Sequence, residues 1–253
     1  MKYGLQLYSV RDITEQDFEG ALREVANMGY AMVEPAGFFG CRAEDVAAML
    51  KHYGLTVSGT HTSYKELLNQ PIEDTVAYHK TIGCKDIIIP GAPLKTREQV
   101  EQVVRDINRL QPILAESGIN LHFHNHYREF LPNQDGLVAM DILAEQTNVL
   151  FEIDTFWAFD AGRDPLAVMA QYCDRMRFIH LKDGFAQDLS NPESRAEGRS
   201  LGLGEAPVEA VRKKAIELGL GMVVESEDLD PTGLEEVKRC IDYLKTLDAK
   251  DGN

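Results

Sequence analysis

Three of the chain's seven histidines crowd into one short run, Leu121-His122-Phe123-His124-Asn125-His126. If that run is a strand, side chains alternate faces, so His122, His124 and His126 point one way and Phe123 and Asn125 the other. A single imidazole on an apolar face is ordinarily a hydrogen-bonded core residue, but three in register suggest ligands or acid–base groups. Three further polar residues each end an apolar run: Asp154 after 149–153, His180 after 176–179 and Glu225 after 222–224. A buried carboxylate is costly unless it is paired or bound to a cation. A mixed carboxylate–imidazole set converging on one point therefore suits one divalent metal ion, with Mn²⁺, Co²⁺, Mg²⁺ and Zn²⁺ all compatible. The competing reading is a buried Asp–His–Glu hydrogen-bond network that needs no ion.

Such groups converge only if the strands carrying them lie side by side. Strand patterns recur at 3–9, 31–36, 56–62, 86–90, 120–126, 149–154, 176–182 and 221–226. Amphipathic helical patterns follow at about 14–28, 43–53, 71–82, 96–117, 136–147, 164–174, 207–218 and 232–247. Gly29, Gly54, Gly83, Gly118 and Gly219 stand where helices should end in a left-handed cap. Asp164-Pro165 reads as an N-cap followed by proline at the first helical position. Eight βα units predict a (β/α)8 TIM barrel spanning residues 1–253 as a single domain. A doubly wound open sheet is the alternative, but no GxGxxG follows the first strand. In a TIM barrel the chemistry sits at the C-terminal ends of the strands, which is where Gln6, Tyr8, Glu34, His61, the three histidines, Asp154, His180, Lys182 and Glu225 fall. Glu34 and His61 are expected to line the pocket from the wall opposite. The connection from Gly184 to Ala206 is unusually long and predicts a loop that covers the pocket.

The charge balance narrows the partners. Lys plus Arg number 26 against 41 Asp plus Glu, a formal charge of −15, which repels nucleic-acid backbones and anionic membranes alike. No stretch approaches the ~20 apolar residues of a membrane span. The opening run is broken by Gln6, Ser9 and Arg11, too soon for a signal peptide. Cys41, Cys84, Cys173 and Cys240 lie far apart, with no CxxC, and read as buried thiols of a cytoplasmic protein.

On five segments the chain resembles the xylose-isomerase-like TIM-barrel superfamily of sugar (phosphate) isomerases and epimerases, in particular its inosose-dehydratase-like branch. These are Leu5–Arg11, Gly29–Glu34, His124–Phe130, Glu152–Trp157 with Ala161-Gly162, and His180–Asp183. The resemblance implies one divalent cation, manganese first, held by Glu, Asp, His and Glu from the fifth to eighth strands. Asp154, His180 and Glu225 match the last three positions. For the first, the resemblance points to Glu129 reaching back from its loop, ahead of His122.

The chemistry this implies is removal of a proton beside a carbonyl, with the cation stabilising the enediolate. His124, His126 and Glu225 are the acid–base candidates. His122, Trp157 and Lys182 are substrate-binding candidates: Trp157 would stack on a sugar face or plug the mouth, and Lys182 would hold a hydroxyl or phosphate or pair with Glu152 or Asp183. Returning the proton to carbon makes an isomerase or epimerase. Expelling a β-substituent makes a lyase, whether an inosose-type dehydratase or a 3-keto-glycoside or C-glycoside deglycosidase. The expected partner is a small carbohydrate. A homo-oligomer or a partner subunit stays open, and the charge argues against a DNA-binding relative of the same fold.

Overall fold

The computed structural model describes residues 1–252. Nine strands make one parallel sheet: β1 (Gly4–Gln6), β2 (Met32–Glu34), β3 (Thr56–Val57), β4 (Thr60–His61), β5 (Asp86–Ile89), β6 (Asn120–His124), β7 (Leu150–Asp154), β8 (Met176–Leu181) and, after a small hairpin, β11 (Gly221–Val224). The order β3-β2-β1-β11-β8-β7-β6-β5-β4 runs from one half of a broken strand round to the other half, so the sheet is a nearly closed barrel. The expected eight strands become nine because the third changes partner midway. Val57 still pairs with β2, whereas Thr60 pairs with β5. Gly59 sits at the switch, where a Cβ would lie 2.3 Å from Ile88 Cδ1 and 3.2 Å from the Asp86 carbonyl; any side chain there must displace Ile88 and crowd that carbonyl.

Outward faces of the strands carry Leu5, Val33, Phe123, Ile153 and Ile179, all buried against the surrounding helices. Each such side chain contributes about 1.5–3 kcal/mol by leaving water. The helices Phe18–Met28, Ala43–Tyr53, Ile72–Thr81, Arg97–Glu116, Ala139–Gln146, Pro165–Gln171, Val208–Leu218 and Gly233–Asp251 occupy the expected places. Gly29, Gly54 and Gly219 end their helices with φ of 99°, 69° and 69°, as the sequence pattern requires. Short helices absent from the sequence reading, Tyr64–Asn69 and Thr155–Asp160, and the 3-10 turn Tyr127–Phe130 cluster at the C-terminal mouth.

The long connection after β8 is folded rather than loose. It holds an antiparallel pair, β9 (Asp183–Phe185) with β10 (Glu197–Arg199). Buried Asp183 accepts backbone N–H groups from Gly184 (2.8 Å), Gly202 (2.8 Å), Gly204 (3.0 Å) and Ala206 (3.1 Å). The Gly202-Leu203-Gly204 turn thus wraps a carboxylate of the chain itself. Among the described residues no helix is long and apolar enough to cross a membrane.

Candidate metal centre and active site

Strand period places the site. His124 ends β6, Asp154 ends β7, His180 lies near the end of β8 and Glu225 follows β11, so four neighbouring strands deliver four donors to the barrel's inner face. One donor atom from each lies within 4.8 Å of the others. His180 Nδ1 is 3.3 Å from Glu225 Oε2 and 3.9 Å from Asp154 Oδ2, and His124 Nε2 is 3.8 Å from Asp154 Oδ2. The first is a long hydrogen bond, and the other two are too long for one. Together they suit ligands held about 2.0–2.2 Å from a shared ion, whose mutual spacing is roughly 3–3.6 Å.

The polar inventory supports an ion over a closed hydrogen-bond network. Both ring nitrogens of buried His124 and Asp154 Oδ2 lack any partner, and native proteins seldom leave such groups unpaired. Asp154 is fixed for the role. Its Oδ1 accepts the Trp157 N–H (2.9 Å) and so caps helix Thr155–Asp160. Asn125 clamps its backbone with reciprocal bonds of 3.1 and 3.2 Å, leaving Oδ2 turned to the quartet.

Electrostatics agree. Burial, with Glu225 adding to it and Lys182 opposing, pushes the Asp154 carboxyl up to about 7, so the anion lacks a full counter-charge. Burial and then His180, His61 and His126 hold His124 well below the usual histidine range, as a neutral imidazole with a lone pair to give. Burial would raise Glu225, but Lys182 and His180 outweigh it and keep it ionised.

Beside the quartet lies a second group that the sequence resolved only in part. Glu34 Oε1 is 2.8 Å from His180 Nε2 and 3.2 Å from His61 Nε2; Glu152 Oε2 is 3.0 Å from His61 Nε2 and 3.2 Å from His180 Nε2. Glu34 is raised, mainly by burial and Glu152, while Glu152 is lowered because His180 and His61 outweigh burial. Burial would depress both imidazoles, but Glu34 and Glu152 hold His61 up, and Glu152, Glu225 and Glu34 hold His180 well up. In the sequence Glu152 stands out only as a motif member and one candidate partner for Lys182. Its place two residues before Asp154, on the same strand face, was the signal that it joins the site.

A cavity of about 460 Å³ opens above these groups, lined by Tyr8, His61, His124, His126, Glu225 and Glu227 among others. His126 thus faces the cavity as expected. Lys182 is buried; its Nζ pairs with Glu227, lies 3.7 Å from Glu225 and sits 4.3 Å above the Trp157 ring, so neither Glu152 nor Asp183 is its partner. Trp157 packs beside His126 and Tyr127 at the mouth.

Two expected residues are not brought to the quartet. Glu129 Oε2 accepts the His126 N–H (3.0 Å) and closes a capping box on the turn Tyr127–Phe130. Glu129 there serves the turn, and the residue that stands fourth beside Asp154, His180 and Glu225 is His124. His122 is fully buried one pleat lower in the barrel, 2.8 Å from Asp86 Oδ1. It faces inward as alternation requires, but two residues of rise, about 6.6 Å, separate its place on β6 from that of His124.

A parallel barrel with two imidazoles and two carboxylates gathered at its C-terminal mouth defines a TIM barrel with a candidate cation site. More particularly, the chain belongs to the xylose isomerase-like TIM barrel family, whose profile matches residues 22–247. It is similar to an inosose dehydratase of Geobacillus kaustophilus, 25% identical over 186 residues, covering 64% of this chain and 60% of the relative. The chain therefore spans less than two thirds of that protein's length. Among solved structures it resembles a sugar phosphate isomerase/epimerase from Parabacteroides distasonis, with a TM-score of 0.80, 25% identity and coverage of 96% and 97%. It also resembles an IolI protein with a bound zinc atom, with a TM-score of 0.75, 14% identity and 99% coverage of both.

Proposed function

We propose that this chain is a divalent-metal-dependent sugar isomerase or epimerase that removes a proton beside a carbonyl. The observation that carries the reading is the quartet His124, Asp154, His180 and Glu225, with the His124 nitrogens and Asp154 Oδ2 unpartnered. These four residues would hold the ion, Mn²⁺ by preference, with Co²⁺, Mg²⁺ or Zn²⁺ also compatible with the donor set; the zinc-bearing neighbour supports a divalent ion without favouring manganese. A cation there supplies positive charge to the oxygens of an enediolate as it forms.

The remaining steps fall to the chain's own side chains. Glu225, kept ionised, is the base on the β11 side of the cavity. His126, from the end of β6, stands on the other side, separated from it by β7 and β8. Groups on two walls suit removal of a proton on one face and its return on the other, or to the adjacent carbon. His61 and Trp157 bound the sugar.

A lyase ending is the second reading, resting on one specific observation: the Lys182 ammonium lies 3.7 Å from Glu225 Oε2, a buried positive charge beside the base. The dehydratase relative supports the same ending. Incubating the Mn²⁺-loaded protein with ketoses and inososes in D₂O decides between them. Deuterium incorporation with retained mass balance as an epimer or isomer supports the first ending. Loss of water or of a larger leaving group supports the second. No exchange into any carbonyl sugar or cyclitol ketone would refute both.

A further inference from the structure

We infer that Gln6 and Glu34 form a positioning relay that dictates which ring nitrogen of His180 faces the cation; this rests on the functional reading above. The relay starts from a group whose polarity is beyond choice. The Tyr8 backbone N–H donates to the Gln6 side chain at 2.9 Å, so the atom it meets is the amide oxygen. The Gln6 amide nitrogen is thereby turned to Glu34 and donates to Oε1 at 2.8 Å. That same Oε1 lies 2.8 Å from His180 Nε2. A carboxylate oxygen accepts, so Nε2 carries a proton and donates it.

With Nε2 committed to a proton, only Nδ1 is left to bind an ion, and Nδ1 is the nitrogen facing Glu225 Oε2 and Asp154 Oδ2. Two carboxylate oxygens facing Nδ1 call for a positive centre between them: a proton on Nδ1 in the ion-free chain, where it reaches Glu225 Oε2 at 3.3 Å, and the ion in its place when one binds. The three relay side chains come from β1, β2 and β8, and all three are 0% exposed, so water cannot substitute for a missing link. Glu152, 3.2 Å from the same Nε2, reinforces the acceptor side. Carboxylates that receive the second N–H of a metal-bound histidine orient it and strengthen its donation.

Glu34 and Gln6 are thus positioning residues, and Co²⁺ affinity, read from the visible absorption of the Co²⁺-loaded protein, reports on them without turnover. Glu34→Met is expected to raise the Co²⁺ Kd by about 10–100-fold. Glu34→Gln, whose amide oxygen can still accept both N–H groups, is expected to raise it less than tenfold. Asp86→Asn, an equally buried change at the opposite end of the barrel, should leave the Kd within about twofold even if it costs stability. A Glu34→Met protein that binds Co²⁺ like wild type, or like Asp86→Asn, overturns the relay and leaves the functional reading intact. A wild-type protein that takes up no Co²⁺, Mn²⁺ or Zn²⁺ ends both. Should Glu34→Met fail to fold, nitrogen-15 histidine spectra of the zinc-loaded wild type decide the matter. The relay requires the Nε2–H tautomer for His180, and an Nδ1–H tautomer refutes it.

Discussion

Replacing His124 with leucine separates two consequences that a structural histidine would couple. In the folded chain both ring nitrogens of His124 are buried without a partner, and an unpaired buried polar group costs about 1–3 kcal/mol. Leucine removes both nitrogens at similar volume, so the metal-free protein should become more stable, by up to about 1–3 kcal/mol. Metal binding should move the other way. A four-ligand zinc site is worth about 10–16 kcal/mol, or roughly 2.5–4 kcal/mol per ligand, so losing one donor should weaken Co²⁺ or Zn²⁺ binding by on the order of 10²–10³-fold. Urea unfolding in the presence of a chelator measures the first effect through the midpoint, and spectroscopic Co²⁺ titration measures the second. Glu129→Gln is the matched comparison: its side chain caps a turn and a glutamine oxygen can still accept that N–H, so the variant should stay within about 0.5 kcal/mol of wild type and keep its metal. A His124→Leu protein that is less stable than wild type yet binds Co²⁺ normally would refute the assignment of the quartet, and a metal-free Glu129→Gln protein would restore Glu129 as ligand.

Three further outcomes follow from the fold. Asp183→Ala strands four backbone N–H groups and should expose the 186–206 segment to limited proteolysis at least tenfold faster than in wild type; unchanged cleavage would show that the hairpin is held by other contacts. Gly59→Ala forces a methyl group to 2.3 Å from Ile88 Cδ1 and should cost about 1–3 kcal/mol in denaturant unfolding, whereas a neutral effect would mean the strand switch is slack. Asp248 is held below the ordinary carboxylate range: burial would raise it, but the amino terminus, Tyr3 and Arg212 outweigh burial. Its contribution is therefore present above the unfolded value near pH 3.9 and is lost as pH falls through the lower folded value. Asp248→Asn should accordingly be less stable than wild type at pH 6, with the gap in Tm closing as pH falls below the ordinary carboxylate range; a gap that persists at the acid end would contradict the assigned pairs.

Much of the molecule is written in local pattern. Alternating apolar strand runs, helix caps such as Gly29 and Gly54, and the short spacing between elements specify a parallel barrel because each depends on neighbours within a few residues. Asp154, His180 and Glu225 were legible because a polar residue at the end of a buried strand breaks a pattern that burial otherwise enforces. Glu152 was legible in principle from its period-two offset to Asp154, but a glutamate inside one apolar run does not say what it will meet.

The choice among His122, His124 and Glu129 could not come from sequence, because alternation puts both histidines on one face and says nothing of depth. Depth is set by strand register, and pairing of His122 with Asp86 leaves His124 at the mouth. The role of Glu129 depended on a turn whose geometry follows from packing. By itself, then, the sequence determined the barrel and its polar end and pointed to Asp154, His180 and Glu225, three of the four side chains gathered there, since these follow from periodicity along the chain. Only the tertiary structure brought His124 beside those three, made the Glu34–His180 contact across 146 residues and used Asp183 to fold the hairpin, because those depend on the distances between strands that only a closed barrel fixes.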